Sequence, residues 1–462
     1  MSDLVTSDLV TRLVEVVGDD HVLTGERIGV DYTHDESLGS EAHEPDVVVR
    51  PASASDVAAV LTIATDLGVP VTARGSGTGL SGACIPRAGG ILVSFERMDD
   101  VLEIDTENHV AVVQPGVTLA QLDEVTAKHG LVYPVFPGES SASLGGNVAT
   151  NAGGMRAVKY GVTRHQVLGV EAVLATGEII RTGGKFVKAT SGYDLTQLIL
   201  GSEGTLALVT EAVLKLHPRP EFSATVLVPF NTLGEVTHAV PRIIDSGIAP
   251  LLLEYIDVLT MGSITSSAGL DLGIPAEIKD RALAYLVVAL ESSNSDRLDQ
   301  DVEQLGELVF ELGAMDVFVL PAQAATQLIE ARERAFFVAK ALGADDIVDV
   351  VVPRAQIPAY LARVGEIAQD SGSFVAGCGH AGDGNVHLSV FQADPEVKHR
   401  VMRGIFETGI AMGGAISGEH GIGTEKKRYF LELEDPAKIA LMRRIKAAFD
   451  PHGILNPGAV FD

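Results

Sequence analysis

The chain has only two cysteines, Cys84 and Cys378, among its 462 residues. Two thiols this far apart make no disulfide framework and match neither a CxxC pair nor ferredoxin spacing, so an iron–sulfur cluster is not expected. Long apolar runs are also missing, because no stretch approaches the roughly 20 residues that cross a bilayer. The first residues are acidic and amphipathic and do not resemble a signal peptide. We therefore expect no membrane span and a cytoplasmic protein.

Basic residues are scarce. The sequence has 34 Lys and Arg against 62 Asp and Glu, which gives a formal net charge of −28 at pH 7. Nucleic acids and anionic lipid surfaces are bound by basic faces, so neither partner is expected. An anionic substrate would therefore need a local positive site.

The length predicts two or three domains, and the residue pattern changes along the chain. Residues 1–220 alternate short apolar strands, glycine-rich turns and helices, with a predicted βαβ unit over 46–75 and a hairpin over 167–184. From about residue 221, helices alternate with strands as in an antiparallel sheet covered by helices, and glycine-rich motifs return near residue 417. The predicted fold class is α+β.

The first chemical signal is the segment RGSGTGLSG, residues 74–82, at the end of a predicted strand. Glycines at alternate positions let a backbone turn tightly and bring its N–H groups against a phosphate. The segment is therefore a candidate pyrophosphate loop, although a structural glycine-rich turn explains it equally well. It matches neither the dinucleotide fingerprint GxGxxG nor the P-loop, so a nicotinamide or P-loop site is not indicated.

The second signal is residues 134–161, a stretch with few large side chains. Its small and polar residues include Ser141, Ser143, Gly145, Gly146, Thr150, Asn151, Gly153 and Gly154. A long ordered stretch this poor in apolar side chains favours a ligand that completes its core, and a long irregular loop is the alternative.

The third signal is GCGHAGDGNVH, residues 377–387, between two predicted strands. An Asp-Gly turn there predicts a β-hairpin, which would place His380 and His387 at facing strand ends. Two imidazoles can bind a divalent metal, but two ligands rarely complete a site. A pair of hydrogen-bonded structural histidines therefore remains open at this point.

These segments, together with GSEGTLALVTEA, SGEHGIG and LNPG further along the chain, resemble a flavoprotein family of the vanillyl-alcohol oxidase fold. That family includes D-lactate dehydrogenase, the glycolate oxidase D subunit and D-2-hydroxyglutarate dehydrogenase. The resemblance implies an FAD-binding domain of the p-cresol methylhydroxylase (PCMH) type made of residues 1–220 and 417–462, with a cap domain over 221–416 that supplies the substrate site.

The resemblance also assigns residues to the cofactor. Thr78 stands where covalent relatives of this fold commonly carry a flavin-linked histidine, so noncovalent FAD is expected. The residues implied to wrap the pyrophosphate, line the cofactor or approach its ring are Arg74, Gly75, Ser76, Gly77, Thr78, Gly79, Gly138, Ser143, Gly146, Asn147, Asn151, Gly153 and Asn456.

The segment SGEHGIG, residues 417–423, adds a carboxylate beside an imidazole. Glu419 can complete a three-ligand metal site with His380 and His387, and zinc suits such a donor set, with manganese or iron as alternatives. The resemblance implies that the metal holds the oxygens of a 2-hydroxy acid beside the flavin. We assign His420 as the general base, with a fourth metal ligand or a packed turn residue as alternatives.

The resemblance implies two further substrate contacts. Arg332, in a predicted helix over 323–342, would pair with the substrate carboxylate as a fork, whereas Arg334 is expected to be a solvated charge. Asn385 would hydrogen-bond the substrate, and a turn residue is its alternative role. The apolar run IVDVVVP replaces a lysine that hydroxyglutarate-type enzymes carry, so a second substrate carboxylate is not expected.

The implied reaction is the oxidation of a D-2-hydroxy acid to its 2-oxo acid, with hydride transfer from C2 to FAD N5. A quinone, a cytochrome, an electron-transfer flavoprotein or oxygen would then reoxidise the flavin. Short monocarboxylates such as D-lactate or glycolate are the expected substrates, and a homodimer is one option for the oligomeric state. The alternatives are a D-2-hydroxyglutarate dehydrogenase, an ether-lipid synthase-like flavoenzyme, a metallohydrolase and a non-catalytic flavin-binding module.

Overall fold

The computed structural model describes residues 3–461 and arranges them around four β-sheets. The first sheet has the order β1-β2-β4-β3, and β4 pairs in parallel with both β2 and β3. Its strands are β1 Val22–Leu23, β2 Val47–Val49, β3 Val71–Arg74 and β4 Ile91–Ser94.

The predicted βαβ unit is present as β2, helix α2 (Ala54–Leu67) and β3. Ser53 caps α2 by accepting a hydrogen bond from the Asp56 backbone N–H at 3.1 Å, as expected for an N-terminal serine. The two strands are not neighbours, however, because β4 lies between them. The buried valine and isoleucine runs of this sheet are covered by α1 (Asp3–Val17) and α2.

The second sheet is antiparallel and has the order β5-β6-β10-β8-β9. The hairpin predicted around Thr176 and Gly177 is the pair β8–β9, and Gly177 has a φ of +85°. Two short strands, β7 and β11, form a separate pair. The strands are β5 Val101–Asp105, β6 Val110–Val113, β7 Leu131–Val132, β8 Val167–Val173, β9 Ile179–Gly183, β10 Leu208–Lys215 and β11 His217–Pro218.

The last sheet has seven strands in the order β15-β12-β14-β13-β17-β18-β16, and every pairing in it is antiparallel. Helices cover both faces, so strands such as β14 are buried along most of their length. The strands are β12 Phe222–Phe230, β13 Leu252–Asp257, β14 Ala284–Ser292, β15 Phe318–Val319, β16 Asp346–Val351, β17 Phe374–Gly379 and β18 Asn385–Phe391.

Three elements differ from the sequence expectation for this region. Strand β13 and helix α9 (Val258–Ala268) were not predicted. The helix expected over 323–342 is divided at Arg334 into α12 (Ala322–Glu333) and α13 (Ala335–Ala341). The remaining helices are α3 Leu119–Ala127, α4 Leu144–Thr150, α5 Ala157–Tyr160, α6 Thr163–Gln166, α7 Leu195–Ile199, α8 Leu233–Asp245, α10 Ala276–Lys279, α11 Ser295–Glu311, α14 Ile357–Ser371, α15 Pro395–Ala411, α16 Lys427–Leu433 and α17 Pro436–Phe449.

The C-terminal segment returns to the first sheet. Leu455 forms a parallel bridge with Val71 of β3, and the Asn456 backbone N–H donates to the Val71 carbonyl at 2.7 Å. The preceding loop at Ser417 instead pairs with Asp349 of the seven-stranded sheet. The segment from 417 onward therefore crosses from one sheet to the other. No helix within residues 3–461 combines the length and apolar character needed to cross a bilayer.

Candidate active site

Three predicted metal ligands meet at the edge of the seven-stranded sheet. His380 follows the end of β17, His387 lies on β18, and Glu419 is in the loop that pairs with β16. His380 Nε2 and His387 Nε2 each lie 3.2 Å from Glu419 Oε1. Ligand atoms about 2.0–2.2 Å from one zinc ion lie about 3.4 Å apart at tetrahedral angles, so this spacing fits a His2Glu metal site.

The hairpin that carries both histidines closes as predicted from its glycines. Gly384 has a φ of +94°, a region that favours glycine, and the Gly384 and Asn385 backbone N–H groups donate to the His380 carbonyl. The imidazole rings of His380 and His387 consequently face each other edge to face with centroids 4.8 Å apart.

Two buried carboxylates, those of Glu254 and Asp349, lie beside the histidines. Neither was assigned a role from the sequence. Glu254 on β13 accepts from His380 Nδ1 at 2.7 Å, which orients Nε2 toward Glu419. Burial alone would lower the pKa of His380, but the carboxylates of Glu254 and Glu419 raise that pKa well above its ordinary value. The two carboxylates therefore favour positive charge at this point, which a bound metal cation would supply.

Asp349 on β16 holds the loop that carries Glu419 and His420. Its Oδ2 accepts from the backbone N–H groups of Gly418, Glu419 and His420 at 2.8–3.0 Å, and its Oδ1 accepts from Asn385 Nδ2 at 2.9 Å. Asp349, His387, Glu419 and His420 also form a group whose ligand atoms lie within 4.8 Å of one another. Because both Asp349 oxygens are already occupied by donors, we favour His380 as the third ligand.

His420 lies beside the three ligands. Its ring stacks on His387 with centroids 5.3 Å apart, and its Nδ1 has no hydrogen-bond partner within residues 3–461. Burial lowers the pKa of His420 to about 4, although nearby Asp349 opposes that shift. The imidazole is therefore neutral near pH 7 and can accept a proton.

Arg332, at the end of α12, is buried on the other side of Glu254. Its Nη2 lies 2.8 Å from Glu254 Oε2, and its Nε has no hydrogen-bond partner among the described residues. A buried guanidinium with an unused N–H group is suited to binding a carboxylate. Arg334 is exposed, as predicted.

Two cavities open on this cluster. The histidine cavity is lined by Arg332, His380 and His387, and the glycine-loop cavity is lined by the backbone of residues 74–81. Four residues line both cavities: Leu80, Pro137, Glu419 and His420. The cluster therefore forms the wall that the two cavities share.

The glycine-loop cavity collects most of the predicted cofactor residues. Gly77 has a φ of +75°, and a Cβ there would lie 1.9 Å from the Arg74 guanidinium. The buried Asn147 side chain presents an Nδ2 with no partner in the described part of the chain. Predicted residues that line this cavity are Arg74, Gly75, Ser76, Gly77, Thr78, Gly79, Ser143, Gly146 and Asn147.

Other predicted residues lie elsewhere. Gly138 lines the histidine cavity, and Gly153 gives Glu419 room, because a Cβ there would lie 2.7 Å from Glu419 Oε2. The Asn151 side chain accepts from the Arg164 backbone N–H at 2.9 Å and lines neither cavity.

Two predicted asparagines have polar groups that are already used inside the protein. Asn456 Nδ2 donates to the carbonyls of Ala83 and Glu203 at 2.9 and 2.7 Å, so its amide fixes the C-terminal segment. Asn385 Nδ2 donates to Asp349 and lines neither cavity, so the structure does not place it as a substrate donor. Its contact instead helps to position the loop of Glu419.

One more buried acid joins the two parts of the site. Glu203 lines the glycine-loop cavity and accepts from the backbone N–H groups of Ile422 and Gly423 at 2.8 Å each. Burial raises the pKa of Glu203 to about 7. Glu203, Glu254 and Asp349 are each a single acid within an apolar or glycine-rich segment. This pattern could have marked them in the sequence, because a charge that is buried must be paired.

Comparison with known proteins identifies the family. A model of the FAD-linked oxidase C-terminal domain matches residues 219–460, and a model of the FAD-binding domain matches residues 45–183. The chain belongs to the FAD-linked oxidase family. It is 58% identical to an uncharacterized FAD-linked oxidoreductase of Mycobacterium tuberculosis, over 98% of this chain and 99% of that protein.

Two relatives of this FAD-linked oxidase carry names that describe an activity. It is 37% identical to a D-lactate dehydrogenase of Anaerostipes hadrus, over 99% of this chain and 98% of the relative. It is also 37% identical to the glycolate oxidase subunit GlcD of Bacillus subtilis, over 99% of this chain and 97% of the relative.

The fold is shared with the crystal structure of p-cresol methylhydroxylase, with a TM-score of 0.78 at 18% identity over 100% of this chain and 98% of that chain. The predicted α+β class and the PCMH-type FAD-binding fold are therefore confirmed. Most residues that line the glycine-loop cavity fall within residues 45–183, which the FAD-binding model matches, and its small residues and unpartnered amide suit FAD.

Proposed function

We propose that this FAD-linked oxidase converts a D-2-hydroxy acid to its 2-oxo acid. The substrate is a 2-hydroxy monocarboxylate, the class to which D-lactate and glycolate belong, and an external acceptor, a quinone, a cytochrome or an electron-transfer flavoprotein, receives the electrons. The names of two relatives support this choice of substrate class. Among the alternatives, a metallohydrolase would leave the glycine-loop cavity without a use.

One observation carries the proposal. Glu419 and His420 line both the glycine-loop cavity and the histidine cavity. A substrate that contacts these two residues from the histidine cavity therefore lies next to the space that suits FAD. FAD in the glycine-loop cavity would supply a two-electron acceptor.

The residues of the histidine cavity divide the work of binding and proton transfer. Arg332 binds the substrate carboxylate through its unused Nε–H, because a guanidinium pairs with a carboxylate in a fixed geometry. His380, His387 and Glu419 would hold a divalent metal, which we propose to be zinc, with manganese or iron as alternatives. A metal there would polarise the hydroxyl and carboxylate oxygens of the substrate. His420 takes the hydroxyl proton as the general base, a role supported by its place in the wall that the two cavities share.

The direct test is anaerobic bleaching of the flavin by D- and L-2-hydroxy acids. We expect D-lactate or another D-2-hydroxy monocarboxylate to bleach the flavin absorbance and each L-enantiomer to bleach it far more slowly. D-2-hydroxyglutarate serves to test the dicarboxylate alternative. A purified, FAD-containing protein that no D-2-hydroxy acid reduces would refute the proposal.

Replacing Arg332 by methionine is expected to raise KM for the substrate by at least about 30-fold, because losing one partner of a buried charge pair costs about 2 kcal/mol or more. The decrease in kcat should be smaller, since a carboxylate clamp acts in both the ground state and the transition state. Steady-state kinetics check this split.

Two matched variants serve as controls for the KM of Arg332→Met. Arg332→Lys keeps a cation beside Glu254 but loses the fork, so its KM should lie between those of the wild type and Arg332→Met. Arg334→Met removes an exposed arginine two positions away and should leave KM unchanged. An unaltered KM in Arg332→Met would remove Arg332 from the substrate site.

A further inference from the structure

The histidine cavity has a charged end and a much larger apolar part. In the described part of the chain, its acidic, basic and imidazole side chains belong to two neighbouring residues of α12 and to the candidate metal cluster: Arg332, Glu333, His380, His387, Glu419 and His420. This charged end would bind the carboxylate and the hydroxyl of a 2-hydroxy acid. The rest of the lining must then face the substituent on C2.

Three elements supply most of the apolar part. Helix α9 contributes Leu259 and Ile264, helix α13 contributes Phe336, and the β17–β18 hairpin contributes Phe374 and Phe391. Phe374 and Phe391 face each other across the two strands with ring centroids 5.4 Å apart. A methyl group or a hydrogen on C2, as in lactate or glycolate, is too small to touch walls that come from three separate elements.

Part of this wall is open to solvent. Leu259 is 52% exposed, Leu342 is 62% exposed and Phe374 is 49% exposed, and all three line the cavity. The free energy falls when an apolar ligand covers apolar surface that is exposed to solvent. The lining therefore favours a substrate whose side chain is apolar and longer than a methyl group.

The charge distribution disfavours a second carboxylate on the substrate. Among residues 3–461, Arg332 is the only lysine or arginine that lines the cavity, and the next residue in the chain, Glu333, is an acid that also lines it. Lys340, whose Nζ lies 5.8 Å from the centre of the Phe336 ring, is outside the lining and pairs with Glu36 at 2.9 Å. A distal carboxylate would find no described cation free to bind it within the lining.

We propose that the apolar wall formed by Leu259, Ile264, Phe336, Leu342, Phe374 and Phe391 selects D-2-hydroxy acids with an extended apolar side chain over lactate, glycolate and dicarboxylic hydroxy acids. This inference rests on the proposed function. It goes beyond the compounds named for the relatives, because it assigns a side-chain subsite and the residues that form it.

The test compares kcat/KM of the FAD-containing wild-type enzyme for D-lactate, D-2-hydroxybutyrate, D-2-hydroxyhexanoate and D-2-hydroxyglutarate. Each methylene group moved from water onto the wall raises kcat/KM by up to about fourfold. Three added methylenes should therefore raise the value for D-2-hydroxyhexanoate about 10-fold to 60-fold above D-lactate. D-2-hydroxyglutarate has a similar reach but a charged end, and should be the poorest of the longer acids.

A matched pair of variants locates the subsite. Phe336→Ala should lower the ratio of kcat/KM for D-2-hydroxyhexanoate over D-lactate at least about fivefold, since it removes part of the wall. Phe310→Ala, on α11, changes an exposed phenylalanine that does not line the cavity, and should keep the wild-type ratio.

The outcomes separate this inference from the proposed function. If D-lactate equals or exceeds D-2-hydroxyhexanoate, or D-2-hydroxyglutarate exceeds both, the apolar subsite is wrong while 2-hydroxy acid oxidation stands. If Phe336→Ala keeps the wild-type ratio, the subsite is not at this wall. If none of the four acids reduces the flavin, the proposed function itself fails.

Discussion

Chelation of divalent metal is expected to reduce turnover of the D-2-hydroxy acid by at least about 10³-fold, because metal polarisation of the reacting oxygens contributes several kcal/mol. FAD should remain bound, since the three ligands contact the glycine-loop cavity only through Glu419. His387→Ala should have the same effect, because it removes one of the two Nε2 atoms that lie 3.2 Å from Glu419 Oε1. The measurements are turnover, metal content and the flavin spectrum on one sample.

Metal add-back distinguishes the two preparations. Zinc, manganese or iron should restore the chelated wild type but not His387→Ala, which lacks a ligand. His238→Ala is the matched control, because His238 is exposed on α8 and its Nδ1 contacts only the Gly234 carbonyl at 2.6 Å. A metal-free wild type that reduces its flavin with substrate at the full rate would show that the cluster needs no metal for catalysis.

Much of the fold could be predicted because its signals are local. The capped helix α2, the hairpin at Thr176-Gly177 and the histidine-bearing hairpin each follow from turn residues and short-range periodicity. The insertion of β4 between β2 and β3 could not be predicted in this way, because strand order depends on contacts between distant segments. The break at Arg334 was missed because the helical pattern continues through it.

The candidate site was likewise predictable only in part. The predicted hairpin placed His380 and His387 together, and Glu419 was added to them alongside the family resemblance. The structure brings these three together. Glu254 was missed because the strand that carries it, β13, was not predicted, and without that strand nothing placed a carboxylate behind His380.

Asp349 was missed for a different reason. It lies in an apolar run that the sequence analysis used only to exclude a lysine, and its function depends on four donors from residues 417–420, far away in the chain. The same contact set explains why Asn385 faces Asp349. The oxygens of a buried carboxylate need hydrogen-bond donors, and the side-chain amide of Asn385 supplies one of them.

Replacing His420 by alanine is expected to slow flavin reduction by about 10²-fold to 10⁴-fold, the usual range for a lost acid–base group. His420 lines both cavities, and its buried Nδ1 lies 3.9 Å from Asp349 Oδ2, so we expect the other ring nitrogen, Nε2, to accept the hydroxyl proton. FAD and metal should both be retained, because Glu419 is held by its own backbone N–H bond to Asp349 at 3.0 Å. Stopped-flow reduction with metal content measured on the same sample tests this.

The outcome of that experiment also decides between the roles open to His420. Loss of metal together with loss of reduction would make His420 a ligand, in line with its place in the group of four ligand atoms within 4.8 Å. Near-normal reduction would exclude the base role. His399→Ala is the control, because His399 also stacks on an aromatic ring, that of Tyr429 at 5.3 Å, but lines neither cavity. If His420 acts directly on the substrate as a base, flavin reduction should be slow in His420→Ala and not in His399→Ala. KM should change far less in His420→Ala than in Arg332→Met.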